Sequence, residues 1–81
     1  RAWFYEGIEH FRHNRIDEAR MALKRSVEVD ADRAPAWFYL GECDRVQERN
    51  ESARKRYRRC LQLEPTHGRA IAALRRIGSA T

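Results

Sequence analysis

Trp3-Phe4-Tyr5-Glu6-Gly7 returns as Trp37-Phe38-Tyr39-Leu40-Gly41. The 34-residue offset that superimposes the two stretches also brings Ala19 onto Ala53, Arg25 onto Arg59 and Asp30 onto Glu64. Self-similarity at a fixed period of this length marks a repeat architecture, in which each unit is too small to bury its apolar face and must stack on a neighbour. The 81 residues hold two such units, 1–33 and 34–67, and a remnant, 68–81, within a single domain. A chain this short buries only about 60% of the surface it exposes when unfolded, so stacking between units has to carry much of its stability. The pattern predicts a scaffold that offers a surface.

Within each unit the apolar spacing is helical. Trp3, Gly7, Ile8 and Phe11 recur at intervals of three and four, His13-Asn14-Arg15 interrupts, and Ile16, Ala19, Leu23 and Val27 resume the period to about Val29. In the second unit Asp32 is the expected N-cap, and Pro35 the first-turn residue, of a helix from about Ala34 to Glu48. Asn50 is the expected cap of a fourth helix carrying Ala53, Tyr57, Cys60, Leu61 and Leu63 before Pro65 stops it. Thr66 is the expected cap of a fifth through Ile71, Leu74 and Ile77, with Gly78 ending it and Ser79-Ala80-Thr81 as a frayed tail. No stretch alternates with period two. The fold class predicted is all-α, an α-solenoid of two antiparallel helix-turn-helix hairpins plus one short C-terminal capping helix.

Side-chain size supports the same arrangement. Gly7 and Gly41, with Ala19 and Ala53, suit the places where antiparallel helices about 8–10 Å apart bring their backbones together. Trp3, Trp37, Leu23, Tyr57, Leu61 and Leu63 are the expected core, each fully buried one contributing roughly 1.5–3 kcal/mol. Cys60 serves as a small hydrophobe. In the remnant, Arg75 stands where the units have Gly7 and Gly41, which argues against a further helix packed there. Ile71, Leu74 and Ile77 are then expected to cover the second hairpin while Arg69, Arg75 and Arg76 keep the outer face wet.

The second unit resembles the tetratricopeptide repeat, a 34-residue helix-turn-helix with the pattern W-x2-L-G-x2-Y, A-x3-F, P. Trp37, Leu40, Gly41, Ala53, Tyr57 and Pro65 fall at its spacings, with Asp44 in an aromatic slot. The first unit supplies Trp3, Gly7, Ala19 and Leu23, but has Glu6, His10 and Ala31 in the leucine, tyrosine and proline slots. The resemblance implies a protein-binding adaptor in which the first helix of each unit lines a concave groove for a partner's extended or helical peptide, as part of a longer protein. Carried onto this sequence, the groove takes Phe4, Ile8, Phe11 and Arg12 from the first unit, Phe38, Glu42 and Arg45 from the second, and Arg69 and Arg76 from the last helix. Aromatic and guanidinium groups are the usual anchors of such surfaces. Phe4 and Phe38 admit two placements, towards a ligand or against the neighbouring helix, and Glu42 and Arg45, three apart, are placed to pair with each other. Some family members clamp a chaperone's terminal carboxylate. The corresponding positions here are Phe4, Ile8, Tyr39, Arg69 and Ala73, of which only Arg69 has suitable chemistry, so a terminal-carboxylate clamp is not expected. General attraction of an acidic segment to Arg45, Arg69 and Arg76 is.

Charge leaves other readings to weigh. Lysine plus arginine number 17 against 12 acidic residues, and the excess grows towards the C-terminus: seven of each sign in 1–33, seven against five in 34–67, three against none in 68–81. Arg54-Lys55-Arg56-Tyr57-Arg58-Arg59 raises nucleic-acid binding as an alternative. Six consecutive helical residues point around nearly two turns, however, and Tyr57 falls in a core slot, so the arginines split between flanks, where Glu51, Glu48 and Asp44 offset part of the charge. Self-association through the uncapped N-terminal end is the second alternative. His10 and His13 share a helix face, with His67 or Cys43 as distant third ligands, but His10 in an aromatic slot reads better as a hydrogen-bonded, partly buried side chain and His13 as exposed, so no metal is assigned. No nucleophile triad, carboxylate pair at a cleft or phosphate loop is present; the sequence predicts no enzyme and no cofactor. Two cysteines without a CxxC spacing favour a reducing compartment, the cytoplasm by default, and no apolar run reaches the roughly 20 residues of a membrane span.

Overall fold

The computed structural model describes residues 1–79. They form five helices and no strand: α1 (Trp3–Arg12), α2 (Ile16–Val29), α3 (Ala34–Val46), α4 (Asn50–Leu63) and α5 (Gly68–Ser79). Consecutive helices pack as two hairpins, α1 on α2 and α3 on α4, with α2 against α3 and α5 against α4. This is the predicted all-α solenoid. Ala80 and Thr81 of the expected tail lie outside the described residues.

The two turns inside the hairpins are copies of each other. Among the described residues Asn14 and Glu48, 34 residues apart, are the non-glycine residues with positive φ, 60° and 62°. Each closes a helix end in the same way: the Asn14 and Arg15 amides donate to the Phe11 and His10 carbonyls at 3.0 and 2.8 Å, and the Glu48 and Arg49 amides to Arg45 and Asp44 at the same distances. A left-handed residue of this kind satisfies the last carbonyls of a helix. Asparagine tolerates that conformation, whereas glutamate carries the full steric cost.

The helix starts differ from expectation. Helix α3 is capped by Arg33 and α4 by Arg49, neither through a side chain, while Asp32 donates its amide to Asp30 Oδ1 at 3.2 Å and Asn50 is already the first residue of α4. Helix α5 begins after His67, not Thr66: His67 Nδ1 accepts the Ala70 amide at 3.1 Å. A ring nitrogen thus does what a serine or aspartate oxygen usually does. Helix α3 stops at Val46 rather than Glu48 because Glu48 turns left-handed, and Gly78 lies inside α5 rather than ending it.

Two cores meet at α3. Ala19 and Leu23 of α2 and Leu40 and Cys43 of α3 form one, flanked by Phe4, Phe11, Ile16 and Val27. Ala34 and Phe38 of α3, Ala53, Tyr57 and Cys60 of α4, and Ala70, Ala73 and Ile77 of α5 form the other. Trp37 and Tyr39 pack against both. The expected core therefore needs correction: Leu23 and Tyr57 are fully buried, whereas Trp3, Trp37, Leu61 and Leu63 are half-buried, Trp37 keeping its indole N–H on the Ala31 carbonyl at 2.8 Å. In α5 the buried face is Ala70-Ala73-Ile77, with Leu74 beside it and Ile71 outside the cluster, and its alanines let α5 sit close to α4.

Gly7 and Gly41 are held small by direct contact. A Cβ on Gly7 would stand 2.6 Å from Leu23 Cγ, and one on Gly41 2.6 and 2.8 Å from Tyr57 Cε1 and Cδ1. Asp44, in the aromatic slot, is fully buried at the centre of a charged junction. Arg20 Nε of α2 donates to its Oδ1 at 2.9 Å, and Arg56 Nε of α4 lies 3.6 Å from Oδ2. One carboxylate thereby ties three helices.

The first unit is polar where the second is buried. Leu40, Cys43 and Asp44, all fully buried on α3, have Glu6, Glu9 and His10 as their counterparts on α1. Glu6 pairs with Arg1 at 3.0 Å, Glu9 with His13 at 3.1 Å, and Arg15 Nε donates to His10 Nδ1 at 2.9 Å. That face of α1 is solvated by its own charges.

Candidate functional site

Helices α1, α3 and α5, the first of each unit and of the remnant, carry the predicted groove residues. Phe38, Glu42, Arg69 and Arg76 come together, with Ala72 and Ala73, around a groove of about 170 Å³ between α3 and α5. Phe38 is 4% exposed and belongs to the core, packed against its neighbours while its ring borders the floor of the groove. Phe4, Ile8, Phe11, Arg12 and Arg45 do not line this groove. Phe4 is half-buried against the first core with the Arg33 guanidinium 4.6 Å above its ring, and it borders a separate cavity of about 260 Å³ with Trp3, Tyr5, Val29 and Arg33. Ile8 and Phe11 are half-buried and Arg12 is exposed.

The charges in the groove are unequally engaged. Glu42 accepts the Tyr57 hydroxyl at 2.5 Å and Arg45 Nε at 3.2 Å, so Arg45 and Glu42 do pair. Burial first, and this hydrogen bond second, push the Tyr57 hydroxyl well above the ordinary phenol range. Arg69 has no carboxylate on it: its Nη2 donates to the Tyr39 hydroxyl at 3.0 Å, and its guanidinium lies 4.8 Å over Phe38 and 5.5 Å over Tyr39. Such stacking and bonding orient the guanidinium without cancelling its charge. Arg76 is exposed on the same wall.

Tyr39, left out of the groove assignment from sequence, does not line the groove but packs beside it. It touches Phe11 edge-on with ring centroids 5.9 Å apart, touches Phe38 at 5.2 Å, and holds Arg69, so it joins the first-unit aromatics to the α5 wall. The signal was its place in the doubled Trp-Phe-Tyr. His67 was missed as well: besides capping α5 it stacks on Phe38 with centroids 5.0 Å apart, as Arg33 does on Phe4 one period earlier.

The basic run of α4 is divided. Arg54 bonds to Glu51, Arg56 pairs with Asp44, Arg59 Nη1 donates to Gln62 at 3.0 Å, and Arg56 and Arg59 lie 5.8 and 5.9 Å from the Trp37 ring. Tyr57 is fully buried and presents no ring for a base. Cys43 and Cys60 are free and buried, their thiols pushed up to about 12 and about 11, burial being the larger cause in both and Asp44 adding to it at Cys43. Among the described residues no group of three histidine, cysteine or acidic side chains is placed to hold a metal ion, and no helix is long and apolar enough to cross a membrane.

Stacked helical hairpins of this kind define a class of protein-interaction module. The chain belongs to the tetratricopeptide-repeat family, whose model matches residues 34–67. A solved structure titled the first TPR of Spaghetti (RPAP3) bound to the HSP90 peptide SRMEEVD superimposes with a TM-score of 0.92 at 26% identity, over 96% of this chain and 62% of that one. In sequence the chain is 33% identical over 60 residues to a peroxisomal targeting signal receptor of Yarrowia lipolytica, which covers 74% of this chain and 10% of the receptor. It is 32% identical over 63 residues to the human protein O-mannosyl-transferase TMTC1, covering 78% of this chain and 7% of that protein. The chain thus spans a small fraction of these curated relatives.

Proposed function

We propose that the domain binds a partner peptide along α1, α3 and α5, through Phe4, Ile8, Phe11 and Arg12 at one end and Phe38, Glu42, Arg45, Arg69 and Arg76 at the other, and that it catalyses nothing itself. The observation that carries this reading is the groove between α3 and α5, whose floor is an aromatic ring and two alanines and whose wall is a pair of arginines. The relative solved with an HSP90 peptide and the relative named as a targeting-signal receptor support a peptide as the ligand class. Two free, buried thiols support a reducing compartment such as the cytoplasm.

The alternatives fare less well. Nucleic-acid binding loses its stripe, since Arg54, Arg56 and Arg59 are engaged with Glu51, Asp44, Gln62 and Trp37, which leaves Lys55 and Arg58 of the run. A second copy stacked on α1 would have to strip water from Glu6 and Glu9, where the internal junction has Leu40 and Cys43. The test is selection of binders from a random peptide library on the immobilised chain. Selected peptides are expected to lose binding to Ile8→Ser and Arg12→Glu variants and to survive moderate salt. A ligand that is an oligonucleotide, released steeply between low and moderate salt, would overturn the reading.

A further inference from the structure

We infer that the α5 wall of the groove is a one-sided anion seat, built on Arg69 and Arg76, that reads an internal acidic side chain of the bound peptide. The inference rests on the peptide-groove reading and adds the chemistry of one subsite.

Arg69 and Arg76 line the groove, whereas Arg45 does not and reaches it only through Glu42. Arg45 is held by Glu42 through Nε at 3.2 Å and Nη2 at 3.3 Å, and the Glu42 carboxylate is further occupied by the Tyr57 hydroxyl. The charges of that pair offset each other. Arg69 is bonded only to a neutral phenol and stacked on two rings, and Arg76, seven residues on and so two helical turns away on the same face, borders the same groove. Between them lie Ala72 and Ala73, which leave space in front of the guanidinium groups. A groove with net positive charge, an orienting hydroxyl on one arginine and an apolar floor selects a carboxylate whose aliphatic stem rests on Phe38.

A chain terminus does not satisfy this arrangement. The positions that correspond to the terminal-carboxylate clamp of some family members are Phe4, Ile8, Tyr39, Arg69 and Ala73, and only Arg69 among them is a cation. Both arginines that line the groove, Arg69 and Arg76, are on α5, so the acid they read lies anywhere along a segment passing over the groove.

The experiment is an NMR titration of the 81-residue chain with an N-acetylated, C-amidated peptide carrying two central glutamates between leucines, and with its glutamine isostere. The glutamate peptide at millimolar concentration should shift the amides of Arg69, Ala72, Ala73 and Arg76, and the isostere should bind about 10-fold more weakly, as expected for loss of a charge-assisted contact. Arg69→Gln and Arg76→Gln should each reduce the glutamate peptide's affinity to that of the isostere. Tyr39→Phe, which frees Arg69 without removing charge, should weaken it less. Arg58→Gln on α4 removes the same charge outside the groove and should change nothing. Equal loss with Arg58→Gln would replace the seat by general charge attraction. A tighter fit of the free-acid peptide than of its amide would make it a terminus reader, and displacement of the peptide by a short oligonucleotide would make it a phosphate site. If both peptides shift the groove amides equally, the anion seat fails while the peptide groove stands; if neither does, the seat fails and the library selection decides the groove.

Discussion

Gly41→Ala is the sharpest test of how the hairpins are held. The added Cβ would stand 2.6, 2.8 and 3.1 Å from Tyr57 Cε1, Cδ1 and Cζ. Carbon atoms normally approach to about 3.5–4.0 Å, so the methyl intrudes by about 1 Å on a ring that is fully buried and tethered through its hydroxyl to Glu42. A rigid ring held at both ends has nowhere to turn, which puts the cost near the upper end of the overpacking range, about 3 kcal/mol. Alanine's better helix propensity returns about 1 kcal/mol, leaving a net loss of about 2 kcal/mol. For a domain of this size that is a drop in Tm of about 8–16 °C, read from the helical circular-dichroism signal on heating. Gly78→Ala makes the same propensity change where nothing lies within 4 Å and should raise Tm slightly. Tyr57→Leu combined with Gly41→Ala should cost less than the sum of the two single changes, because the leucine vacates the space. If Gly41→Ala matches or exceeds the wild type, the close approach of α3 and α4 is not what the glycine serves.

Further expectations follow from the polar core and the turns. Asp44→Ala strands two partly buried arginines and should lower the urea midpoint by the equivalent of about 3 kcal/mol or more, with an unchanged m-value. Glu48→Gly relieves a left-handed residue and should raise stability by about 1 kcal/mol, whereas the same change at Asn14 should gain much less. The thiols give a pH dependence of defined sign. Their folded values, about 12 for Cys43 and about 11 for Cys60, lie above the ordinary value of about 8.5, so the stability they contribute is intact below that pH and is lost as pH rises. Each should add a slope of about 1.4 kcal/mol per pH unit above ~8.5 until its folded value is reached, and denaturant melts of Cys60→Ala should show a shallower alkaline decline. Native protein should react with a thiol reagent only after denaturation.

Period and size carried the architecture because they are properties of residues taken one at a time. Gly7, Gly41, Ala19 and Ala53 are small for a reason visible at one position, and the loops at His13-Asn14-Arg15 and Pro65 interrupt an otherwise steady spacing. What escaped depends on partners. Asp32, Asn50 and Thr66 are good cap residues by type, but the left-handed turn at Glu48 and the Asp30 turn set where α4 and α3 begin, one residue away from each. His67 took the α5 cap because stacking on Phe38 had already placed its ring. Asp44 reads in sequence as a defect in an aromatic slot, and only the meeting of Arg20 from α2 with Arg56 from α4 makes it a junction. In the groove, aromatic and basic types were enough to nominate Phe38, Arg69 and Arg76. That Arg45 is occupied and Arg69 is not turns on Glu42, Tyr57 and Tyr39, three side chains from two helices.

The buried carboxylate also bears on how such a chain lengthens. Asp44 draws its closest cation, Arg20, from the preceding hairpin, and the residue one period after Arg20 is Arg54. Unit two therefore contains both halves of its own coupling: in a tandem array of its copies, each Arg54 would fall beside the Asp44 of the copy that follows. Unit one, with His10 in place of the acid, has the donor half and no acceptor. Gene duplication of residues 34–67 would extend the rod with its fastening intact, whereas insertion of residues 1–33 within the array would leave an arginine facing a histidine.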